Sequence, residues 1–458
     1  MTLTLALLAA YALLLLAVGV RSGRKVHTPE DFLLAGRRSS GLDTGGSLAA
    51  TILGASATLG LAGLAFQRGL TGSWWLLVGV VGLGALYFLA AAAKAQSVYS
   101  LPDLLGRWYG PAMRTVASAL IFLAWLGVVG AQMNAAGSIL AAFLGGPTAL
   151  WVLLSGAVFI LYTVLGGQLS VIRTDLYQLG FILAGLAGCA LAGLKAVHGF
   201  GGLRRALPEG FFSFPLSPGF SSLDLGLLLL VAGSTYLTGP DMLSRLFCSR
   251  GVRPARRGIL LAIVVIVPAA LLVALNGMVA RALFPGAAPE SAFPLLMRHS
   301  LPPLLAGLVM LALLSAFLSS ADTTLLTMTT VLAVDLLRMP MAGSTRHGVW
   351  SLRGLTLLCG AGTLAVGIFS GGIIPSLLLS YTIFSGGLFI PILAVLLGKP
   401  MRGQAAIAAA LVGGGLALAG KLRGSDALLA SGFAASLLIY LTDRLLRRFP
   451  GRAARGEP

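Results

Sequence analysis

The chain has 458 residues, of which 57% are hydrophobic and only 10% are charged. Soluble domains carry roughly a quarter of charged residues, so this composition excludes a soluble protein and indicates a polytopic membrane protein. The formal net charge of +18 could suggest a nucleic-acid partner. The basic residues, however, lie in short segments between apolar runs and form no patch with interleaved aromatics, so we expect the lipid bilayer and no nucleic acid.

Successive apolar runs define the transmembrane organisation, because a helix needs about 20 residues to cross the hydrocarbon core. The first run has no clear cleavage site after it and is read as an uncleaved span. We predict an all-α polytopic membrane protein with about 13 transmembrane helices. The predicted spans lie near 2–20, 42–66, 73–93, 113–138, 149–166, 172–194, 224–247, 258–283, 303–329, 350–369, 374–398, 404–420 and 427–443.

The basic residues predict the orientation. If the N-terminus lies outside, 24 of the 32 Lys and Arg residues, Arg245 among them, fall in inner loops and 8 fall outside. The opposite orientation would invert the positive-inside rule. We therefore expect a multi-pass protein of the cytoplasmic (inner) membrane, with the basic tail at 444–458 in the cytoplasm and nothing that specifies an oligomeric state.

Two runs contain signals for interrupted helices. The run at 42–66 is rich in Gly, Ala, Ser and Thr, which indicates either close packing through small residues or a broken helix with free carbonyls near Ala50 and Leu53. The start of the second half carries a comparable set. Its members are Gly233, Ser234, Thr235, Gly239 and Pro240.

Paired interruptions point to a transporter built from inverted repeats. The layout predicts an extra N-terminal helix and inner loop at 1–41 and a first five-helix repeat at 42–195. A second, inverted repeat follows at 224–398, and two C-terminal helices with the basic tail occupy 399–458. The first and sixth core helices are predicted to be broken, although the halves show no residue-level identity.

A polar stripe crosses the ninth run. On a helix Ser315, Ser319, Asp322 with Thr323, and Thr327 share one face, and Ser320 lies beside it. Each hydroxyl could simply bond to a carbonyl of its own helix. Asp322 indicates a binding role instead, because carbonyls cannot donate a hydrogen bond to a carboxylate. A column of oxygen ligands suits a hard cation such as Na⁺.

Asp175 is the second acidic residue inside an apolar run. It could be an ordinary carboxylate in a first helical turn, stabilised by the helix dipole and paired with Arg173. It could instead lie beside Asp322 in a second cation or proton site, because two neighbouring carboxylates do not both ionise easily without a cation. Gln132, Asn134 and Tyr381 could contact a solute or only pack. No catalytic constellation is visible, so we expect no enzyme.

Four stretches resemble the sodium:solute symporter family, which includes sodium-coupled proline, pantothenate, sialic acid and sugar transporters. They are 31–37 (DFLLAGR), 100–110 (SLPDLLGRWYG), 166–178 (GGQLSVIRTDLYQ) and 316–320 (AFLSS). The resemblance covers about 30–398 and implies a thirteen-span version of the leucine-transporter fold. Asp322 departs from the family, where small or hydroxyl residues are usual, and Arg173 replaces a common aromatic and could offset the extra carboxylate.

The resemblance also implies site residues. Na⁺ as coupling ion is expected to bind the carbonyls of Ala50, Leu53 and Ala316 and the hydroxyls of Ser319 and Ser320. A second cation or proton site would use Thr51, Asp175, Asp322 and Thr323. Substrate-binding positions would be Gly54, Ala57, Ser234, Thr235 and Tyr236.

The expected function is secondary transport in which inward Na⁺ movement drives uptake of a small organic solute by alternating access. One alternative is a proton-coupled symporter that uses Asp175 and Asp322. Another is a membrane sensor that binds solute without moving it, although such a module would be expected to carry a soluble signalling domain. Ala57 stands where sugar-transporting relatives have a polar ligand, so a sugar is disfavoured.

Overall fold

The computed structural model describes residues 2–341, 346–369 and 373–448, and the last ten residues of the predicted basic tail lie outside this part. Within it the chain is helical, apart from two isolated β-bridges. The first ten helices are α1 (Thr2–Gly23), α2 (Pro29–Leu34), α3 (Gly41–Ile52), α4 (Leu61–Arg68), α5 (Trp74–Ala95), α6 (Leu101–Tyr109), α7 (Pro111–Leu144), α8 (Thr148–Ala196), α9 (Gly199–Ala206) and α10 (Ser222–Leu228). The remaining described helices are α11 (Ser234–Thr238), α12 (Pro240–Cys248), α13 (Val252–Leu283), α14 (Ala292–Ser300), α15 (Pro303–Thr330), α16 (Arg346–Phe369), α17 (Ile373–Leu396), α18 (Gly403–Arg423) and α19 (Asp426–Arg448).

Eleven segments of the described chain are long and apolar enough to cross a membrane. Two of them are far longer than one crossing needs, namely Ser56–Ala95 with 40 residues and Thr148–Ala196 with 49. Each contains a change of direction: a 3₁₀ turn at Gly69–Ser73 separates α4 from α5, and Gly167 (φ 55°, ψ −156°) interrupts α8. An all-helical membrane protein is confirmed, whereas the count of thirteen crossings and the inverted repeat stay predictions.

The kink in α8 needs glycine for two reasons. Its positive φ lies where side chains are disfavoured, and a Cβ on Gly167 would lie 2.6 Å from Cδ2 of Phe32. Phe32 belongs to the short helix α2, which packs against the kink. The close approach fixes how the second half of α8, which carries Asp175, is directed.

Helix α15 lies at the centre of the bundle. It packs against α3, α7 and α8, and 83% of its most apolar window is buried. Helix α1, by contrast, is only 11% buried over its window and packs on the outside against α8 and α15. A central helix has no lipid-facing side, so the polar side chains of α15 must find partners inside the protein.

Both predicted helix interruptions are present, and each covers fewer residues than expected. Helix α3 ends at Ile52, and Leu53 (φ −78°, ψ 40°) leaves helical geometry before a π-helical turn at Ser56–Gly60. The second break lies at Gly239 (φ −57°, ψ 136°), between α11 and α12. Ser234 and Thr235, predicted as part of that break, are helical, because the preceding π-helical turn continues directly into α11.

Candidate functional site

The break after α3 meets α15 through hydroxyl groups. Ser319 Oγ donates a hydrogen bond to the carbonyl of Ala50 (2.9 Å) and another to that of Ala316 in its own helix (3.1 Å). Ser320 Oγ donates to the carbonyl of Thr51 (2.5 Å). These two serines and the helix end of α3 therefore form one junction of neutral oxygen atoms, buried from solvent.

The junction contains most of the predicted sodium ligands. The structure brings Ala50, Ala316 and Ser319 into direct contact, while Ser320 contacts the carbonyl of Thr51, which was not predicted as a carbonyl ligand. Leu53 is the C-cap of α3, and its own N–H donates to Ala49. Hydroxyl and carbonyl oxygens are the donors that a hard monovalent cation accepts, so the donor set fits Na⁺.

Gly54 lets α15 and α7 approach the break. A Cβ at this position would lie 2.3 Å from Oγ of Ser320 and 2.8 Å from Nε2 of Gln132. The N–H of Ala55 donates to Oε1 of Gln132 (2.8 Å), which caps the polypeptide as it re-enters the helix. The absence of a side chain at Gly54 is therefore required by the close packing of three elements.

The remaining members of the polar stripe behave mainly as the simpler interpretation expects. Thr327 donates to the carbonyl of Thr323, and Ser315 donates to the carbonyl of Leu311 and to the hydroxyl of Tyr11 in α1. Thr323 donates to the carbonyl of Ser319 in its own helix. Only part of the stripe thus contacts the broken helix.

A charged cluster lies next to the neutral junction. Asp175 accepts a hydrogen bond from Ser47 Oγ, and its Oδ2 is 3.6 Å from NH2 of Arg245. Asp322 interacts electrostatically with Asp175 and with Arg245. Asp175, Asp322 and Arg245 are at most 1% exposed, so the structure places two carboxylates and one guanidinium together inside the bundle.

The predicted second site surrounds this cluster. Oγ1 of Thr51 and Oγ1 of Thr323 are 3.1 Å apart, and Thr323 also approaches Oδ1 of Asp322 (3.4 Å). NH2 of Arg245 lies 3.5 Å from Oγ1 of Thr51. All four predicted residues therefore lie at this cluster, together with the guanidinium of Arg245 as a cation of the protein itself.

Arg245 corrects two expectations. It is not an inner-loop residue but a buried side chain of α12, which leaves 23 basic residues on the predicted inner side. It also takes the role considered for Arg173, which is exposed while Asp175 pairs with Arg245. Asp175 does not lie in a first helical turn, because the helix resumes after Gly167, two turns earlier.

A narrow cavity lies where the two interrupted helices meet. Of the predicted substrate-binding positions, Gly54 and Tyr236 line it, whereas Ala57, Ser234 and Thr235 do not. The hydroxyls of Ser234 and Thr235 donate to carbonyls of the preceding turn, which explains their absence from the lining.

The sequence profile of the sodium:solute symporter family matches residues 32–413. The chain belongs to the sodium:solute symporter family. It is 25% identical over 349 residues to the osmoregulated proline transporter OpuE of Bacillus subtilis (strain 168), covering 72% of this chain and 70% of that transporter. It is 26% identical over 354 residues to the sodium/pantothenate symporter of Escherichia coli (strain K12), covering 72% of this chain and 71% of that symporter.

Solved structures show the same fold. A Na⁺-coupled sialic acid symporter in a substrate-bound, outward-open state superposes with a TM-score of 0.86 at 18% identity, covering 97% of each chain. A transporter of the nucleobase-cation-symport-1 family, closed with bromovinylhydantoin bound, gives a TM-score of 0.66 at 14% identity, covering 92% of this chain and 96% of the other. These matches confirm the helical transporter fold that the resemblance implied.

Several residues that line the symporter's cavity were not among the predicted binding positions, and three of them matter for its chemistry. Gln132 and Tyr381 were considered only as polar or aromatic residues of undecided role, and both line the cavity. Asp241 was not considered at all. An acidic residue directly after the Gly239–Pro240 break was the available signal, because helix breaks in membrane proteins are where polar groups meet a ligand. Asn134, by contrast, donates to the carbonyl of Gly367 and serves helix packing.

Proposed function

We propose that this symporter takes up a small organic solute by alternating access, driven by Na⁺ that binds at the junction of α3 and α15. The observation that carries the proposal is the contact of the Ser319 and Ser320 hydroxyls with the carbonyls of Ala50 and Thr51. A hydroxyl both donates and accepts, so the oxygens that now bond to one another can instead be directed at an ion.

The junction also provides a reason for coupling. It joins the end of a broken helix to the central helix, so an ion held by both elements stabilises only those conformations in which they are in contact. Differential affinity of two conformations for the ion is what allows its gradient to drive a conformational change. The solute cavity shares Ser320 and Thr51 with the junction, which would link the two ligands.

The test is the double variant Ser319→Ala with Ser320→Ala in proteoliposomes. We expect Na⁺-dependent stabilisation against heat, measured relative to K⁺, to be lost, and Na⁺-driven uptake to fall about tenfold or more, as expected when about 1.4 kcal/mol of ion binding is removed. Ser118→Ala is the matched control, because that buried serine bonds only to a carbonyl of its own helix. Unchanged Na⁺ dependence in the double variant would sink the assignment.

Proton coupling is the second candidate, favoured by one observation. Oδ1 of Asp175 and Oδ2 of Asp322 are buried without a hydrogen-bond partner. A carboxylate that lacks partners in a low-dielectric interior can carry a proton instead of a charge. Uptake that follows an imposed pH gradient in the absence of Na⁺ would establish this candidate in place of the first.

We further propose that the symporter lies in the cytoplasmic membrane with its N-terminus outside. The asymmetry of 23 inner against 8 outer basic residues supports this orientation after Arg245 is removed from the count. Labelling of single cysteines placed in the α1–α2 loop from the cytoplasmic side only is the expected result.

A further inference from the structure

The solute cavity contains a single charged residue. Among the residues that line it, Asp241 is acidic and none is basic. Oδ1 of Asp241 is buried and has no hydrogen-bond partner. The backbone N–H groups of Asp241 and Met242 stabilise the carboxylate, but a buried oxygen without a partner is costly, and a cation in the cavity would offset that cost.

The charge of Arg245 acts on Asp241 without forming an ion pair with it. Arg245 lies one helical turn after Asp241 on α12, but its NH2 is directed at Asp175 (3.6 Å) and Thr51 (3.5 Å). It forms no ion pair with Asp241, and it belongs to the charged cluster, outside the cavity lining. A cationic group that enters the cavity would therefore give Oδ1 of Asp241 the ion-pair partner that it lacks among the described residues.

Two aromatic residues favour the same kind of ligand. Tyr236 and Tyr381 line the cavity, and both lie within the electrostatic field of Asp241. Aromatic faces attract organic cations through the ring quadrupole, most strongly where water is excluded. A carboxylate beside two tyrosines thus combines a charge partner with an apolar, cation-attracting wall.

Gln132, which lines the same cavity, provides a complementary donor. Its Oε1 accepts a hydrogen bond from the N–H of Ala55 (2.8 Å). Its amide N–H groups can therefore donate to a carbonyl or carboxylate oxygen of a solute.

We propose that the solute carries an ammonium group, primary, secondary or quaternary, which pairs with Asp241 between Tyr236 and Tyr381. This inference rests on the proposed function, because it assigns the chemical class of the transported solute. It predicts that amino acids or small amines bind, and that anions without an ammonium group do not.

The test compares ammonium probes with neutral or anionic counterparts. Purified symporter is heated with and without Na⁺ in the presence of choline or its neutral isostere 3,3-dimethyl-1-butanol, L-proline or N-acetyl-L-proline, and pantothenate as an anion. We expect at least one ammonium probe to raise the unfolding temperature in a Na⁺-dependent manner, while its uncharged or anionic counterpart does not. Absence of any such shift for the ammonium probes, or an equal shift for their counterparts or pantothenate, overturns the proposal.

The variant Asp241→Asn then tests the residue. Loss of a buried charge partner is expected to weaken binding of the ammonium probe about 30-fold or more. Glu290→Gln removes the same charge at an exposed position and should leave binding unchanged. Retained affinity in Asp241→Asn overturns the role of Asp241, and the probe comparison in the unaltered protein decides the solute class even if that variant fails to fold.

The two proposals fail in different ways. If Na⁺ alone does not stabilise the protein and Ser319→Ala with Ser320→Ala changes nothing, the sodium site is wrong. If Na⁺ stabilises the protein but only anionic or neutral solutes add to that effect, the sodium site holds and the ammonium proposal is wrong.

Discussion

The neutral junction of α3 with α15 and the charged cluster beside it both bury polar atoms, but they differ in how those atoms find partners. At the junction, Ser319 and Ser320 satisfy carbonyls that the broken helix leaves free, and no charge is involved. In the cluster, Arg245 faces Asp175 and interacts electrostatically with Asp322. Two nitrogens of Arg245, Nε and NH1, and one oxygen of each carboxylate lack hydrogen-bond partners. The junction is thus saturated by hydrogen bonds, and the cluster is not.

This difference indicates which site depends on a mobile ion. A neutral set of oxygens gains a favourable charge interaction only when a cation arrives, so its occupancy can respond to the Na⁺ gradient. The cluster already contains a permanent cation, because an arginine side chain remains protonated in proteins. We therefore expect Arg245 to stabilise the fold and the junction to bind the ion.

The largest expected effect comes from Arg245→Met, which keeps an apolar stem but removes the only guanidinium facing Asp175 among the described ion pairs. Two buried carboxylates would remain without a cation, and breaking a buried pair in this way costs about 3–5 kcal/mol. Thermal unfolding in detergent should show a large loss of stability.

The matched control is Arg173→Met, since Arg173 is exposed on the helix that carries Asp175. Adding Asp175→Asn to Arg245→Met should restore part of the lost stability, because it removes one of the unpaired charges. Equal unfolding temperatures for the two arginine variants would show that Arg245 is not a structural cation.

A smaller effect is expected from Gly54→Ala, which acts on the neutral junction. The added methyl would lie 2.3 Å from Oγ of Ser320, so α15 or the break must shift, at a cost of about 1–3 kcal/mol. Because Ser320 moves, Na⁺-dependent stabilisation should weaken more than overall stability does. Gly84→Ala is the control, since a Cβ there meets nothing within 4 Å, and an equal effect of the two alanines would contradict this reasoning.

The features that the sequence could predict are those with a local signal. The glycine-rich run around Leu53 and the Gly239–Pro240 pair mark the helix breaks, because Gly and Pro disturb helical geometry in a recognisable way. The spacing of Ser319 and Ser320 on one helix also predicts that they share a face. These elements needed no knowledge of the tertiary structure.

The charged cluster and the cavity could not be predicted in the same way. Arg245 lies just before a loop rich in arginines, and nothing in its neighbours indicates that its partner is Asp175 on another helix. Ser234 shows the reverse error: its polarity suggested a ligand, but its hydroxyl bonds to the preceding turn. Which partner a polar side chain chooses depends on packing between distant helices, and local pattern does not encode it.

The smallest expected effect concerns the contact between the two regions. Thr51 Oγ1 and Thr323 Oγ1 are 3.1 Å apart, and Thr51 also faces Arg245, so this hydroxyl pair links the junction to the cluster. Thr323→Val keeps the side-chain volume and removes a hydroxyl that bonds to Thr51 and to the carbonyl of Ser319, at a cost of about 1 kcal/mol for each hydrogen bond. If the regions act separately, Na⁺ affinity should change less than about threefold, a difference below about 0.7 kcal/mol. The control is Thr363→Val, because the hydroxyl of Thr363 bonds only to its own helix. The stability of Thr323→Val should fall slightly more than that of this control. A tenfold loss of Na⁺ affinity in Thr323→Val would show instead that the cluster and the junction form one site.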